Sequence, residues 1–484
     1  MPGVVVTTAV RTGPNTVTAA PSSTYFVVGT AERGPIDAAQ VVNSLAEFEV
    51  YYGGYTSDGT LHEHLQTFFE EGGSRAYVGR VVGGGASAGV GTSGTLTVTA
   101  ANPGAWCNAA PPQSGLEFAV VASGSGFRFQ LILNGETVYT SPVVSTQGEL
   151  VAATSTSNVA KAYATVSTSN AAGALSPVSA TALSGGANGS NPSTSDLVTA
   201  LDLFDASLGS GAVAIPSNYG TTIYDGLIAH AVATNRIALL GTDPSYTSAA
   251  LAITNLDLYI GTAENGEYAA MYFPYVNIVN ATGTAQSISP ESFVAAKRAK
   301  AHNEVGPWKV GAGLQSKANF VTGTAVAVDK AAGAALDDAQ INAIRVIQNS
   351  VRIYGARSLS DDQINFRFIN SRDMLNYIVS ESETRLEDLL FAPIDGRRAV
   401  FGQVESTLIA LLDPLRTAGG LFEAFDADGN RIDSGYSVEV TDALNPLAQL
   451  ADGVVRAKVG VRISSISDKI EIEIVKSNLT SSVV

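Results

Sequence analysis

The stretch GGGASAGVGTSG, residues 83–94, decides how this chain divides. Two chemical signatures overlap in it. Gly85-Ala86-Ser87-Ala88-Gly89 fits the G-x-S-x-G of a hydrolase nucleophile, and Gly89-Val90-Gly91-Thr92-Ser93-Gly94 fits the G-x-G-x-x-G of a dinucleotide site. A nucleophile elbow needs a strand before the serine and a helix after it, and a dinucleotide loop has to open a helix. Here small residues lead up to the serine, and TLTVTA (95–100) follows with the alternation of a strand. The stretch therefore reads as a flexible joint between domains, and neither hydrolase nor nucleotide chemistry is expected from it.

On the N-terminal side of the joint, residues 1–20 form a Thr-, Pro- and Ala-rich arm with one short β-type run, Val4-Val5-Val6. TYFVVG (24–29) reads as a buried strand. Two helices follow, each announced by a capping box, Ser44 with Glu47 and Thr60 with Glu63. The second places Leu61, Leu65 and Phe68 on one face and stops at Gly72-Gly73. RAYVGRVV (75–82) returns as a strand, completing a β-α-α-β unit over 21–90.

Beyond the joint, LEFAVVA (116–122), FRFQLIL (127–133) and ETVYTSPVV (136–144), with a turn at Asn134-Gly135, predict a small, mostly-β domain over 91–190. LSGGANGSNPSTS (183–195) is a second linker. Strands and helices then alternate: AVAIP (212–216), IYDGLIAHAVA (223–233), RIALLG (236–241), TSAALAIT (247–254) and AAMYFPYV (269–276). That order predicts right-handed βαβ units on a parallel sheet over 191–334. Ser289-Pro290 opens a further helix. Over 335–467, Asp337 with Gln340 predicts a helix running to about Val351. Helices at 371–390 and 398–412 follow, the latter ended or kinked by Pro414, then strands at 436–442 and 454–463.

Composition narrows the function classes. The chain has 484 residues, and only 15% of them are charged, against about 25% in ordinary globular proteins. Such a surface suits a large assembly, where free monomers need less mutual repulsion. A net charge of −16 argues against nucleic acid, whose binding needs a basic stripe. The sole cysteine, Cys107, cannot form an internal disulfide and reads as a small packed residue beside Trp106. No apolar run reaches the 18 or so residues that span a bilayer, and MPGVVVTTAVRTG lacks the pattern of a secretory signal. A soluble protein made and used in a cytoplasm is expected.

Few residues point to chemistry. His62 and His64 lie two apart on a helix and face different directions, whereas helical zinc pairs need i, i+4 spacing. His230 and His302 stand alone. Asp426-Ala427-Asp428-Gly429-Asn430 hints at a calcium loop, but its glycine falls one position early and no glutamate closes it, so a turn is expected. The βαβ region lacks a glycine-rich phosphate loop. No catalytic residue, cofactor or metal is expected.

The two ends stand out. Ile470, Ile472 and Ile474 alternate with Glu471 and Glu473, a half-exposed strand close to the last residue. It reads either as an edge strand of the protein's own sheet, kept soluble by its glutamates, or as a strand donated to a neighbour, with Val4, Val5 and Val6 as its counterpart.

At this point the chain resembles the contractile tail sheath proteins of tailed phages and of related phage-tail-like injection machines. Pro2-Gly3-Val4 matches the family's start. GTAERGPIDAAQVVNSLAEFEVYYGG (29–54) looks like its RGP…V-x-S-x-x-EF…FGG block, and LQTFFEEGGSRAYVGRV (65–81) like FF-x-NGG-x-x-x-YVVRV. ANPGAWCNA (101–109) is similar to A-x-x-PG-x-WGN, with Cys107 where glycine is usual. LSGGANG (183–189), EVGPWKVGAG (304–313) and INAIRVIQNSVRIYGARSLSDD (341–362) resemble GG-x-DG, ERG-x-WKAPAG and IN-x-IR…VWGARTL-x-x-D.

The resemblance implies a structural motor without an active site. Subunits stack as rings around a tail tube, joined by strand-donating arms, and contract by re-docking, without nucleotide hydrolysis, to drive the tube through the target envelope. Implied partners are further copies of the chain, the tube protein, and baseplate and tail terminator proteins, with no nucleic acid and no membrane insertion. The implied location is the virion tail, after assembly in the host cytoplasm. The expected fold is α+β and multidomain. An α/β core combines 21–90 with 335–467, the mostly-β domain and the βαβ domain project outward, and arms occupy 1–20 and 468–484. Segments 398–412 and 443–451 are candidates for the tube contact. The competing readings are a tail-surface or host-recognition binding protein and, remotely, an α/β hydrolase.

Overall fold

In a computed structural model of the chain, residues 21–110, 112–260 and 265–472 are described. The strand β1 (Tyr25–Gly29) is buried along its whole length. Its alternate residues face two cores: Tyr25 and Val27 pack on one side of the sheet, Phe26 and Val28 on the other. A strand without a polar face has to be covered on both sides, and the chain supplies that cover from distant segments. β2 (Gln40–Val42), β3 (Ala76–Arg80), β4 (Gly211–Ala214), β5 (Arg236–Gly241), β6 (Ala269–Phe273), β7 (Ile341–Ile347) and β8 (Ser350–Tyr354) form one eight-stranded sheet with it, in the order β8-β7-β6-β5-β4-β1-β3-β2. The six inner strands are mutually parallel, and β2 and β8 close the edges antiparallel.

That sheet corrects the expected division. β1 pairs Tyr25 with Ala76 on one side and with Ala212 on the other, so strands from 21–90, from 191–334 and from the following segment share a single ladder. The parallel βαβ order is present, but it does not build a body separate from the core. Helices α1 (Leu61–Glu70) and α2 (Glu291–Glu304) cover one face with Leu65, Phe68, Phe293 and Ala296. On the other face, α3 (Thr221–Thr234) and α4 (Lys330–Asp338) add Ile223, Leu227, Ala231 and Leu336.

Three local expectations are also overturned. The helix predicted from Asp337 to Val351 is instead the end of α4 followed by the β7–β8 hairpin, turned at Gln348 (φ 52°) and Asn349 (φ 57°). Ile341, Ala343 and Ile344 are buried in the sheet, and pairing with β6 outweighs a spacing that also fits a helix. The capping box of α1 does not form, because the Thr60 hydroxyl accepts from Thr30 N (3.2 Å) and Glu63 accepts from Gln286 (2.9 Å). At the first box Ser44 does cap Glu47 N, while Glu47 reaches Asn43 N. Pro414 does not end its helix, since Ala399–Thr417 runs three residues past it.

The insertion has its own core of Leu96, Val98, Trp106, Phe118, Phe129, Leu131 and Leu150. A three-stranded sheet (90–93, 96–100, 164–168) and a four-stranded sheet (178–182, 116–123, 126–133, 136–140) enclose it. Two helices unread in the sequence, Gln147–Thr156 and Asn158–Tyr163, pack beside them. The joint at 83–94 is not a free hinge. It is zipped to the returning linker: Ser87 and Ala187 exchange both backbone hydrogen bonds (3.0 and 2.9 Å), as do Val90 and Ser184 (2.8 and 3.2 Å), and Ser190 N donates to Gly84 O (3.0 Å). The glycines allow the backbones to meet. A Cβ on Gly83 would overlap the Ser190 carbonyl, and one on Gly89 would lie 2.6 Å from Cys107 Sγ.

Gly83→Ala should therefore part the two neck strands and cost about 1–3 kcal/mol, as overpacking of a closed site does. Gly84→Ala, whose Cβ approaches nothing nearer than Ser190 Oγ at 3.9 Å, should be tolerated. Denaturant unfolding of the two variants measures the difference; equal stability would show the neck to be looser than described.

Candidate functional site

Of the residues singled out for strand exchange, Val4, Val5, Val6 and Ile474 lie outside the described residues. Ile470 and Ile472 are described, and they are 79% and 78% exposed. No residue from 464 to 472 belongs to a strand of the chain's own sheets. The edge-strand alternative thus finds no support in the described part of this segment. Two isoleucines standing in water forgo roughly 1.5–3 kcal/mol each relative to burial. Just before them, Asp468 is held by Arg367 (3.3 Å), and Lys469 pairs with Glu471 (2.5 Å).

A surface able to accept such a strand lies in the same third of the chain. β9 (Tyr436–Glu439) and β10 (Lys458–Val461) form an antiparallel pair with no third strand among the described residues. Tyr436, Val438, Val459 and Val461 face the helix Ala399–Thr417, against Val404, Leu408, Leu411 and Leu412. A two-stranded sheet is marginal by itself, and its open edges offer unpaired backbone groups.

The ionisable residues inside the body do a different job. Arg80 is buried and donates to Ala31 O (3.1 Å), Gly34 O (2.9 Å) and Pro103 O (2.9 Å), tying the loop after β1 to the base of the insertion. Burial brings its pKa down to about 10, still fully charged at neutral pH. Arg236, wholly buried, stacks over Phe26 and donates to Phe204 O, Asp205 O and Gly209 O. Glu71 pairs with Lys297 (2.5 Å) and accepts from the amides of Asn319, Phe320 and Val321. Each of these charges closes a loop, and Arg80 also lines a cleft with Glu32, Trp106 and Asn188. Arg80 and Glu71 were present in the stretches that carry the family resemblance, but nothing in their spacing marked them as buried clamps.

The histidines are internal too. His64 lies between Ser292 Oγ (3.2 Å) and Ser217 Oγ (3.0 Å), and burial pushes its pKa down to about 3. His62 contacts Glu49 (3.0 Å), and His230 contacts Arg236 (2.9 Å). Ser22, His302 and Asp373 line up as a hydrolase relay would, but all three are buried and Arg298 occupies the Asp373 carboxylate. Ser87 of the G-x-S-x-G match donates to Gly185 O (2.8 Å) in the neck, with no helix after it. Asp426 folds its turn by accepting from Asp428 N and Asn430 N, as expected of a turn. Among the described residues no group of three or more His, Cys, Asp or Glu is placed to hold a metal ion, and no helix is long and apolar enough to cross a membrane.

No family model matches the sequence, and no curated protein matches it. Solved structures do. A sheath tail protein from Listeria innocua superposes with a TM-score of 0.62 at 17% identity, over 87% of this chain and 89% of that one. The anti-feeding prophage helical sheath in its contracted state gives 0.56 at 16% identity, over 98% and 99%. A sheath tail protein from Desulfitobacterium hafniense gives 0.55 at 14% identity, over 90% and 93%. The chain has the fold of the contractile tail sheath proteins. Coverage near the full length means that the likeness takes in the insertion as well as the eight-stranded sheet.

One buried group makes the core of this sheath-like fold sensitive to pH. Glu291, at the start of α2, is buried against Gly241, and its Oε2 accepts no hydrogen bond from the described residues. Burial raises its pKa from 4.5 to about 7. The folded state thus holds the proton more tightly than the unfolded chain. This contribution is complete below the unfolded pKa and is lost as pH rises through about 7. Glu291→Gln should remove the loss, so that relative to the parent the variant gains about 3 kcal/mol between pH 4 and pH 8. Unfolding curves across that range measure it, and a constant difference between the two proteins would contradict the assignment.

Proposed function

We propose that this chain is the structural subunit of a contractile tail sheath. It polymerises as stacked rings around a tail tube in a metastable extended state, and it contracts by re-docking to drive the tube through a target envelope. The observation that carries the reading is the pairing of two features within a sheath fold: an unpaired, isoleucine-bearing segment at 470–472 and a two-stranded sheet with open edges at β9 and β10. Each neighbour's terminal segment adds to that sheet, with Val4, Val5, Val6, Ile470, Ile472 and Ile474 as the exchanged apolar residues. A donated strand of four or five residues forms about four backbone hydrogen bonds, each worth about 0.5–1.5 kcal/mol. Burial of the isoleucine face adds about 25 cal/mol per Å².

Such a joint stays closed while the bodies slide. The energy of contraction is then a difference between two packings, and the reading needs neither cofactor nor catalytic residue. The insertion over 91–190 projects outward. Of the two segments put forward for the tube contact, Ala399–Thr417 is a 19-residue helix with Gln403, Glu405, Ser406 and Ile409 exposed, whereas Leu447–Ala451 is a single turn. The longer helix is the better tube-facing candidate. Baseplate and terminator proteins would bind the two ends of the polymer. The particle would assemble in the host cytoplasm and carry the sheath on its tail.

Electron microscopy of the purified chain tests this. Long striated hollow tubes are expected, and dispersed single particles under all assembly conditions would count against it. Deleting residues 468–484 should leave a folded monomer that cannot polymerise. Loss of the folded monomer itself would mean that the segment belongs to its own core.

A further inference from the structure

We propose that one helical turn anchors both ends of the described chain, so that load on one terminal segment is transmitted to the other. This rests on the reading of those segments as inter-subunit joints. The turn opens the helix Ile369–Leu386. On the N-terminal side, the chain enters the body at Ser22. Its carbonyl accepts from Arg298 Nη1 (2.7 Å), and its hydroxyl meets His302 Nδ1 (3.1 Å). Arg298 is in turn fixed by Asp373, through Nε at 3.1 Å and through Nη2. On the C-terminal side, the chain leaves the body at Ser464. Its amide donates to Gly420 O (3.0 Å), and its carbonyl accepts from Asn370 Nδ2 (3.2 Å). Arg367, just before the helix, holds Asp468.

Asn370 and Asp373 are three residues apart and so lie on one face of the helix, within about 5–6 Å of each other at Cβ. Both are buried, as are Ser22 and Arg298. The same helix is fastened to the sheet by Asn376, whose amide donates to Arg236 O (3.1 Å). The two exits from the body thus share a short, buried, hydrogen-bonded support. Asn370 and Asp373 act as positioning residues: they touch no partner and set where each terminal segment leaves the body. In an assembled lattice, tension on the segment before Ser22 would reach Ser464 through one turn of helix, without crossing the sheet.

Hydrogen exchange of the free full-length chain, read by mass spectrometry, tests the coupling. Asp373→Asn removes the charge facing Arg298. It is expected to speed exchange in 462–468 as well as in 21–25, by about three- to tenfold, the factor that follows from losing one ordinary hydrogen bond. Exchange in 116–133 should not change. Asn370→Ala, which removes only the contact to Ser464, should speed exchange in 21–25 as well as in 462–468, and it decides the matter by itself if Asp373→Asn fails to fold. If each substitution loosens only its own exit, or if exchange rises uniformly through the chain, the shared anchor is overturned. The readout uses unassembled protein, so coupled exits in a chain that never forms tubes would defeat the sheath reading and leave the anchor standing.

Discussion

The body of this protein depends on the covering of one strand. Tyr25–Gly29 is apolar on both faces and has a parallel neighbour on each edge. Parallel pairing demands long crossovers, and covering both faces demands helices from each of them. Segments nearly two hundred residues apart are therefore committed to one sheet, and Ala76 and Ala212 meet the same Tyr25. The insertion leaves after β3 and returns ahead of β4, and its two linkers run side by side as the zipped glycine neck.

Buried charge is used sparingly and to one purpose. Arg80 and Arg236 spend their donors on carbonyls of loops that have no ladder partner, and Glu71 caps three successive amides while neutralising Lys297. An unpaired buried carbonyl or amide is costly, so a planar guanidinium with five donors is an efficient closure for a loop. Removing one partner of the Glu71–Lys297 pair would leave a naked charge in the core. The clamps hold irregular chain against the sheet.

The exposed isoleucines and the two-stranded sheet are each poor structures in isolation, and the proposed strand exchange would complete both. Glu291 and the buried histidines pull stability in opposite directions along the pH scale. Burial favours the protonated Glu291 at low pH but forbids the charged form of His64, whose contribution is lost as pH falls below its unfolded pKa of about 6.5. Between pH 4.5 and pH 6.5 the two contributions therefore oppose and offset each other.

Much of the local structure was legible in the residues. Tyr25–Gly29, Arg236–Gly241 and Ala269–Phe273 are continuous apolar runs between turn residues, and Asn134-Gly135 marks its hairpin, so short-range pattern suffices. The half-exposed strand expected around Ile470 and Ile472 is not formed in the described residues, where 470–472 are all exposed. The β7–β8 hairpin was not legible, because IRVIQNSVR fits helical and extended spacing alike and only the neighbouring β6 selects one. Gln147–Thr156 and Asn158–Tyr163 were missed because small and hydroxylated residues carry little periodic signal. Periodicity and turn chemistry by themselves determined many of the local elements. Tertiary structure alone decided that three stretches share a sheet, that two linkers zip into a neck, and that distant residues converge on one helical turn. Those outcomes depend on which remote partner satisfies a buried edge or charge, and no window of sequence contains both halves of such a contact.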